Sequence, residues 1–170
     1  MARRQLERTP SPGPHNSLWY WQREVGFLKT SRNYILMALA RITPWFRMKN
    51  WLYRRMGMTV GKHASVGLEA TMDIFFPELI TIGDESIVGY NSTILCHEFL
   101  VEEYRTGPVV IEGGVTIGAN TTILPGVTIG EGATVSAHSL VNRDVPPGTF
   151  YGGVPARELT RSPQAEDVPA

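Results

Sequence analysis

Aliphatic residues recur at every sixth position through the middle of the chain. Between Ile111 and Val141 they keep one unbroken register, and a shorter register with the same spacing precedes it. The positions are Ile82, Val88, Ile94, Ile111, Ile117, Ile123, Ile129, Val135 and Val141. A helix repeats its apolar residues about every 3.6 positions and a half-buried strand about every 2, so neither element explains this spacing. It is typical instead of short, flat strands wound into a three-sided prism, with one hexapeptide on each side.

Small or β-branched residues stand four positions after most of these aliphatics, and glycine directly follows four of them. The small residues are Ser86, Ser92, Val115, Thr121, Val127, Ala133 and Ser139, and the glycines are Gly83, Gly89, Gly118 and Gly130. In such a prism each aliphatic side chain points inward, and each small residue fits beside it near a corner. We expect these glycines and Asn120 to allow the sharp bends between sides. The pattern predicts a parallel β-helix of hexapeptides and disfavours a conventional β-sandwich.

The hexapeptide spacing begins near Val60 and is interrupted twice. A short break falls at residues 75–78, and a longer one, with the sequence HEFLVEEYRTGP, occupies residues 97–108. Ile94 and Ile111 are 17 residues apart, which is not a multiple of six. We therefore expect residues 97–108 to form a loop extruded from the rigid repeat, a common place for a binding or catalytic site.

The N-terminal third of the chain lacks the repeat and divides into two parts. Residues 1–16 are charged and then rich in Pro and Ser, and we expect them to be flexible. Residues 17–57 form a basic amphipathic segment that is predicted to be helical. Ser31 is a candidate N-cap, and Pro44 should end or kink the first helix. A second helix follows, for which Gly57 is the expected C-terminal cap.

Charge is distributed unevenly along a chain whose formal net charge is zero. Residues 1–62 hold 12 Lys and Arg against 2 acidic residues, whereas residues 63–170 hold 4 against 14. The basic, Trp-rich stretch at residues 31–57 is typical of a surface that contacts anionic lipid headgroups. It suits equally a helical cap that covers the open end of the prism. Nucleic-acid binding is disfavoured, because no recognised nucleic-acid module accompanies the positive charge.

Composition sets the remaining limits. A chain of 170 residues with 42% apolar residues can form one compact domain and a small appendage. The single cysteine, Cys96, excludes an internal disulfide and fits a reducing compartment. No apolar run reaches the roughly 18 residues that a membrane span requires, and the N-terminus does not resemble a secretion signal. We therefore expect a cytoplasmic protein, peripheral at the inner membrane face if the basic segment binds lipid.

The run from Val109 to Arg157 contains TIGANTTILPGVTIG, then RDVPPG and GGVPAR. With the repeat and the loop position, these motifs resemble the hexapeptide-repeat O-acetyltransferases that acetylate sugars, such as the galactoside and maltose acetyltransferases. The resemblance covers about residues 58–161, which we take as the repeat domain, followed by a flexible tail at residues 162–170. The N-terminal segment is more similar to the envelope-polysaccharide acetyltransferases of the same superfamily.

The resemblance implies an all-β, left-handed parallel β-helix with an N-terminal helical appendage. It further implies a homotrimer whose active sites lie between subunits. The reaction would transfer an acetyl group from acetyl-CoA, as co-substrate, to a hydroxyl of a saccharide or of an envelope-polysaccharide precursor. N-acylation of an amino-sugar and a non-catalytic scaffold role remain open alternatives.

The family carries its catalytic histidine in a His-Glu pair at the extruded loop, and the pair in this chain is His97-Glu98. An imidazole, with an ordinary pKa of about 6.5, can remove the proton of a hydroxyl as it attacks a thioester, which is worth about 10²–10⁴-fold. Glu98 either orients the imidazole, binds acceptor hydroxyls or is a solvated loop acid. Cys96 is disfavoured as a nucleophile, because direct transfer needs no acyl-enzyme.

By the family pattern, coenzyme A would lie along the prism. The expected contacts are the backbone of Ala119 and Ala137 for the pantetheine arm, Asn142 and Arg143 near the nucleotide, and Arg157 and Arg161 for the phosphates. Asp73 and Glu78 fall where the family places acceptor-binding groups. The local sequence there, MDIFFPE, departs from that of the sugar enzymes, so the identity of the acceptor stays open.

A zinc site is a further alternative, since the γ-class carbonic anhydrases share this prism. Those enzymes need three histidines around one zinc ion. His63, His97 and His138 lack the spacing of that family. We therefore expect no metal.

Overall fold

A computed structural model describes residues 4–160 of the chain. Its first element is strand β1 (Glu7–Pro10), which pairs antiparallel with residues 103–106 of the extruded loop. The composition of residues 1–16 predicts a flexible N-terminus, whereas the structure has a paired strand there. The physical reason is that the loop presents a strand edge whose backbone groups the N-terminal residues can pair with.

Two helices follow two short helical turns at residues 17–20 and 22–26. Helix α1 (Phe27–Ile42) begins four residues before Ser31, so Ser31 is not its N-cap. The helix ends before Pro44 as predicted, with Thr43 in an extended conformation. Helix α2 (Phe46–Met56) ends at Gly57, whose φ of 111° confirms the predicted C-terminal cap.

The remaining strands confirm the parallel β-helix. Very short strands, most of two residues, stack in parallel into three sheets that form the three sides of the coil. The first sheet contains β2 (Thr59–Val60), β5 (Ile80–Ile82), β10 (Val109–Ile111) and β13 (Thr128–Ile129). The second contains β3 (Ser65–Val66), β6 (Ile87–Val88), β11 (Thr116–Ile117), β14 (Thr134–Val135), β16 (Phe150–Gly152) and β17 (Arg157–Glu158), the last strand running antiparallel. The third contains β4 (Thr71–Met72), β7 (Thr93–Ile94), β12 (Thr122–Ile123) and β15 (Leu140–Val141).

The extruded loop at residues 97–108 leaves the coil after β7 and forms a hairpin. Its strands are β8 (His97–Phe99) and β9 (Glu103–Thr106), and β1 adds a third strand on the far side of β9. The Ser17 hydroxyl donates to the carbonyl of Leu100 at 2.7 Å, which ties the hairpin further to the N-terminal segment. A short helical turn, Pro77–Leu79, occupies the first interruption of the repeat.

The core lies inside the coil and follows the hexapeptide spacing. Every aliphatic residue of the two registers is buried, and so is every small residue four positions further on. Because each coil places its aliphatics directly above those of the previous coil, the interior is a continuous apolar column. The sequence predicts this core correctly, since a period of six leaves only one inward position on each side.

Glycine is required in the repeat for a different reason from the one predicted from the sequence. Gly83, Gly89, Gly118 and Gly130 do not adopt positive φ. A Cβ at these four positions would instead lie between 2.3 and 2.6 Å from the backbone of the next coil. The left-handed corners are made by other residues, among them Asn120, as predicted, with a φ of 58°. The four glycines are therefore required by the close approach of successive coils.

Gly83→Ala tests this explanation. Its Cβ would meet the backbone of Glu112 and Gly113 at 2.5 to 2.6 Å, so we expect the free energy of unfolding to fall by more than about 2 kcal/mol. Gly113→Ala is the matched control, because its nearest atom would lie at an ordinary 3.5 Å and its φ is not positive. Urea unfolding of both variants provides the measurement. Similar losses in the two would contradict the explanation.

Helix α2 covers the start of the coil. Lys49 is buried, and its ammonium group donates to the carbonyls of Val66 and Gly67 at 3.2 and 2.8 Å. The Asn50 amide donates to the carbonyl of Ala64 at 2.8 Å. These donors satisfy carbonyl groups that have no preceding coil to pair with. The cap interpretation of the basic segment therefore holds for the inner face of α2.

Candidate active site

The parallel register of the third sheet brings Asp73 and His97 together. Met72 of β4 pairs with Ile94 of β7, so the chain leaves both strands at the same corner. From there, His97 Nδ1 lies 2.5 Å from Oδ2 of Asp73. The Asp73 side chain is completely buried, whereas 16% of the His97 side chain remains exposed. The geometry is that of an imidazole held at Nδ1 by a buried carboxylate, with a small part of its side chain exposed.

Asp73 is fixed by three backbone donors as well as by the imidazole. Its Oδ1 accepts from the N–H groups of Phe75 and Phe76 at 2.8 and 3.0 Å, and Oδ2 accepts from the N–H of Cys96 at 2.7 Å. Burial alone would raise the pKa of Asp73. The hydrogen bond and charge of His97, together with the backbone donors, outweigh burial and hold that pKa below its ordinary value. Asp73 is therefore a buried carboxylate that stays ionised.

Aromatic rings surround the imidazole. Phe75 and Phe99 each contact the His97 ring edge-to-face, with centroids 5.0 Å apart, and Phe76 lies at 6.0 Å. Trp21 extends this cluster to the N-terminal segment through Phe75, at 5.8 Å. The rings give the imidazole largely apolar surroundings, as is common in small-molecule sites.

Glu98 points to a different partner. Its carboxylate accepts a hydrogen bond from Arg4 at 2.7 Å, and about a fifth of each side chain is exposed. The group that holds Nδ1 of His97 is Asp73, so Glu98 does not orient the imidazole. The Asp73 carboxylate is buried and accepts hydrogen bonds on both oxygens, so its position favours holding His97 over the predicted contact with the acceptor. Glu78 is exposed and pairs with Lys29 at 2.7 Å.

Cys96 is buried beside Asp73. Burial raises the pKa of the Cys96 thiol far above its ordinary value, and the negative charge of Asp73 raises it further. Since the thiolate is the reactive form, a buried thiol with a raised pKa is poorly suited to act as a nucleophile near neutral pH.

Cys96→Ala should therefore retain activity within about threefold of the wild type, since no covalent step passes through the thiol. The measurement is steady-state thiol release from acetyl-CoA, with alkylation of the folded wild-type protein by iodoacetamide as a companion. We expect no alkylation until the protein is denatured. Loss of activity in this variant with an unchanged unfolding transition would point to a covalent role.

The residues expected to contact coenzyme A lie at two places. Ala119 and Ala137 occupy the same corner on successive coils, where the N–H of His138 donates to the carbonyl of Ala119 at 2.9 Å. Within residues 4–160, the N–H groups of Ala119 and Ala137 donate no hydrogen bond. Arg143 lines a cavity of about 340 Å³ with Tyr151.

The other predicted contacts are less concentrated. Arg157 is exposed on β17, where it pairs with Gly152, the residue after Tyr151. In the described part of the chain, Oδ1 of Asn142 is buried and has no hydrogen-bond partner. Arg161 lies outside the described residues. Among residues 4–160, no three His, Cys, Asp or Glu side chains are grouped so as to hold a metal ion.

Comparison with known proteins identifies the family. The profile "Bacterial transferase hexapeptide (six repeats)" matches residues 108–143. "Putative acetyltransferase YvoF" of Bacillus subtilis (strain 168) is 54% identical over 155 residues, which cover 91% of this chain and 90% of that protein. The chain belongs to the hexapeptide-repeat acetyltransferases.

Two solved structures support this assignment. The hexapeptide-repeat acetyltransferase VCA0836 of Vibrio cholerae O1 biovar eltor, in complex with acetyl-CoA, is 28% identical with a TM-score of 0.67, over 78% of this chain and 86% of that one. A galactoside acetyltransferase in complex with coenzyme A is 25% identical with a TM-score of 0.63, over 78% and 80%. This hexapeptide-repeat acetyltransferase is thus an enzyme whose acetyl donor is acetyl-CoA, and the family implies the left hand of its coil.

Sequence reasoning about this acetyltransferase missed the pairing of Asp73 with His97. The hexapeptide spacing contains a usable signal. Met72 is the third inward residue of the first coil and Ile94 is the third inward residue of the next, so the two residues occupy equivalent positions. Residues that follow these two positions must emerge at the same corner. The hexapeptide spacing does not predict the aromatic cluster or the Arg4–Glu98 pair.

Proposed function

We propose that the enzyme transfers the acetyl group of acetyl-CoA to a hydroxyl of a saccharide or envelope-polysaccharide precursor. In this proposal His97 is the general base, and Asp73 is the residue that positions it. The observation that carries the proposal is the 2.5 Å contact between His97 Nδ1 and the buried Asp73 carboxylate. A carboxylate beside Nδ1 accepts a hydrogen bond from the N–H there, so the ring proton stays on Nδ1 and Nε2 is left able to accept a proton.

The reaction then proceeds in one transfer. Nε2 of His97 removes the hydroxyl proton as the hydroxyl oxygen attacks the thioester carbon. The carbonyl oxygen becomes an oxyanion, which backbone N–H groups stabilise. The C–S bond breaks, the coenzyme leaves as a thiolate, and the imidazolium returns the proton to sulfur. The ionised Asp73 stabilises the imidazolium in between, without itself taking the proton.

Two further features support a saccharide acceptor. The rings of Phe75, Phe99 and Trp21 give the site apolar walls, and aromatic walls with a few polar groups are typical of small-molecule sites. The name of one related structure, a galactoside acetyltransferase, is that of an enzyme for a sugar. Because the segment MDIFFPE differs from the corresponding sequence of the sugar enzymes, the particular saccharide is determined by the acceptor panel described below.

The assembly and the compartment are part of the proposal. A homotrimer would bury flat prism sides that carry exposed apolar residues such as Ile87 and Tyr90, 48% and 55% exposed. Light scattering should give three times the mass of the chain. A cytoplasmic enzyme is favoured because the one cysteine is a free thiol, which suits a reducing compartment.

Thiol release from acetyl-CoA, measured against a panel of sugars, sugar nucleotides and amino-sugars, tests the proposed function. We expect release that depends on a hydroxylated sugar and yields an O-acetyl ester labile to mild base. A base-stable amide formed only with amino-sugars would replace O-transfer by N-transfer. Absence of release with every soluble acceptor and with lipid-linked saccharides would support the scaffold alternative.

A further inference from the structure

Helix α1 turns an apolar face outward. Leu28, Ile35, Leu39 and Ile42 are spaced by seven, four and three residues, so they lie on one side of the helix. Their exposures are 81%, 59%, 47% and 67%. The opposite side, which includes Asn33 and Thr30, is buried. Since Met37 and Ala40 are buried on that side as well, α1 carries apolar residues on both sides, whereas an ordinary surface helix turns a polar side to solvent.

Apolar side chains are also exposed on α2. Its inner side buries Leu52, Tyr53 and Met56 together with Lys49 and Asn50, while a second apolar group faces outward. The exposed ones are Trp45 at 68%, Phe46 at 52%, Met48 at 43% and Trp51 at 50%. We call these four residues and the four on α1 the outer helical surface. Surfaces of this kind mark contacts with a partner or with a membrane.

The charge of the two helices indicates the kind of partner. Residues 25–57 contain seven Lys and Arg and no Asp or Glu. Lys49 donates to backbone carbonyls of the coil. Lys29 forms an ion pair with Glu78, and Arg41 forms one with Glu69. Arg32, Arg47 and Arg55 are exposed, and the guanidinium of Arg55 lies 5.0 Å from the Trp51 ring centre. Exposed cations beside outward Trp and Leu side chains match a surface with anionic headgroups above an apolar layer.

A second copy of the chain is a poorer occupant. A symmetric contact between two outer helical surfaces would bring the same arginines of both copies together, and like charges at an interface oppose association. No helix among residues 4–160 is both long and apolar enough to cross a membrane. The eight apolar side chains are instead suited to lying in the interface plane.

We propose that the outer helical surface docks the protein on an anionic lipid bilayer, with α1 parallel to the membrane plane. Leu28, Ile35, Leu39 and Ile42 enter the boundary between headgroups and acyl chains, and Trp45 and Trp51 lie at the headgroup level. The exposed arginines bind the lipid phosphates. This docking is independent of the transferase chemistry, because none of these residues belongs to the His97 site.

Co-sedimentation of the full-length protein with vesicles tests the proposal. We expect binding to phosphatidylcholine vesicles that contain phosphatidylglycerol, weak binding to pure phosphatidylcholine, and release by salt. Ile35→Glu should weaken binding to the anionic vesicles at least about tenfold. Val101→Glu is the matched control, since it makes the same charge change at a valine that is 73% exposed on the extruded loop. It should bind as the wild type does.

The outcomes separate the occupants. A thermal unfolding transition that Ile35→Glu shares with the wild type shows that the loss of binding is not a loss of fold. Absence of wild-type binding to anionic vesicles overturns the proposal, and so does an equal loss in both variants. If wild type binds no vesicle and Ile35→Glu lowers the particle mass by light scattering, the surface joins two copies and the membrane proposal is wrong.

Discussion

His97→Ala is expected to lower acceptor-dependent turnover about 10²–10⁴-fold, the usual contribution of a general base. The acceptor hydroxyl is a poor nucleophile near neutral pH, and the partly exposed His97 imidazole is the group proposed to take its proton. We expect the affinity for coenzyme A to change little, because its predicted contacts at Ala119 and Ala137 lie at a corner of later coils. Steady-state thiol release and coenzyme binding by calorimetry measure the two quantities.

Two variants make this result specific. His97→Ala leaves the buried Asp73 without its side-chain partner, so His97→Gln, whose amide can still donate to that carboxylate, controls for folding. His63→Ala removes an exposed histidine that pairs with Glu85, away from the site, and should keep full activity. Turnover that survives in both His97 variants would assign the base to another residue.

The fold is largely readable from the sequence because a hexapeptide coil repeats the same environment at each turn. Ile117 and Ile123 occupy equivalent inward positions, so their spacing alone predicts burial. Gly83 shows where this reasoning stops. A side chain at Gly83 is excluded by the backbone at Glu112, which lies 29 residues further along the chain. That separation in sequence depends on the length of the extruded loop. A local pattern predicts that a glycine is needed but not which neighbour requires it.

The candidate site was only half predictable for the same reason. His97 is marked by its place at the start of the loop, whereas Asp73 precedes it by 24 residues and sits beside a different interruption. The strand β1 is harder still, since its sequence has the Pro and charge content of a flexible terminus. It is ordered by the edge of β9, a feature of the assembled hairpin that no segment of the sequence carries by itself.

Asp73→Asn should lower turnover on the order of 10²–10⁴-fold while leaving the KM for acetyl-CoA nearly unchanged. An amide nitrogen at the position of Oδ2 would donate to Nδ1 of His97, which forces the ring proton onto Nε2 and removes the base, and it would face one backbone donor, the N–H of Cys96. The flipped amide would instead face the N–H groups of Phe75 and Phe76 with its own donor. Glu98→Gln makes the same chemical change at the neighbouring carboxylate and should cost less than about threefold, since only the partly exposed pair with Arg4 is lost.

Nitrogen NMR of the imidazole distinguishes positioning from a general structural effect. We expect Nδ1 of His97 to carry the proton in the wild type and Nε2 to carry it in Asp73→Asn, a change that simple loosening of the fold would not produce.

The pH dependence of stability adds a second check with a defined sign. Because the folded protein holds the pKa of Asp73 below its ordinary value of about 3.9, ionised Asp73 stabilises the fold above that pH. The stability advantage of wild type over Asp73→Asn should therefore be full at neutral pH and shrink as the pH falls below about 4. A protonated Nε2 in the wild type, or equal losses of turnover in Asp73→Asn and Glu98→Gln, would contradict the assignment of Asp73 as the residue that positions the base.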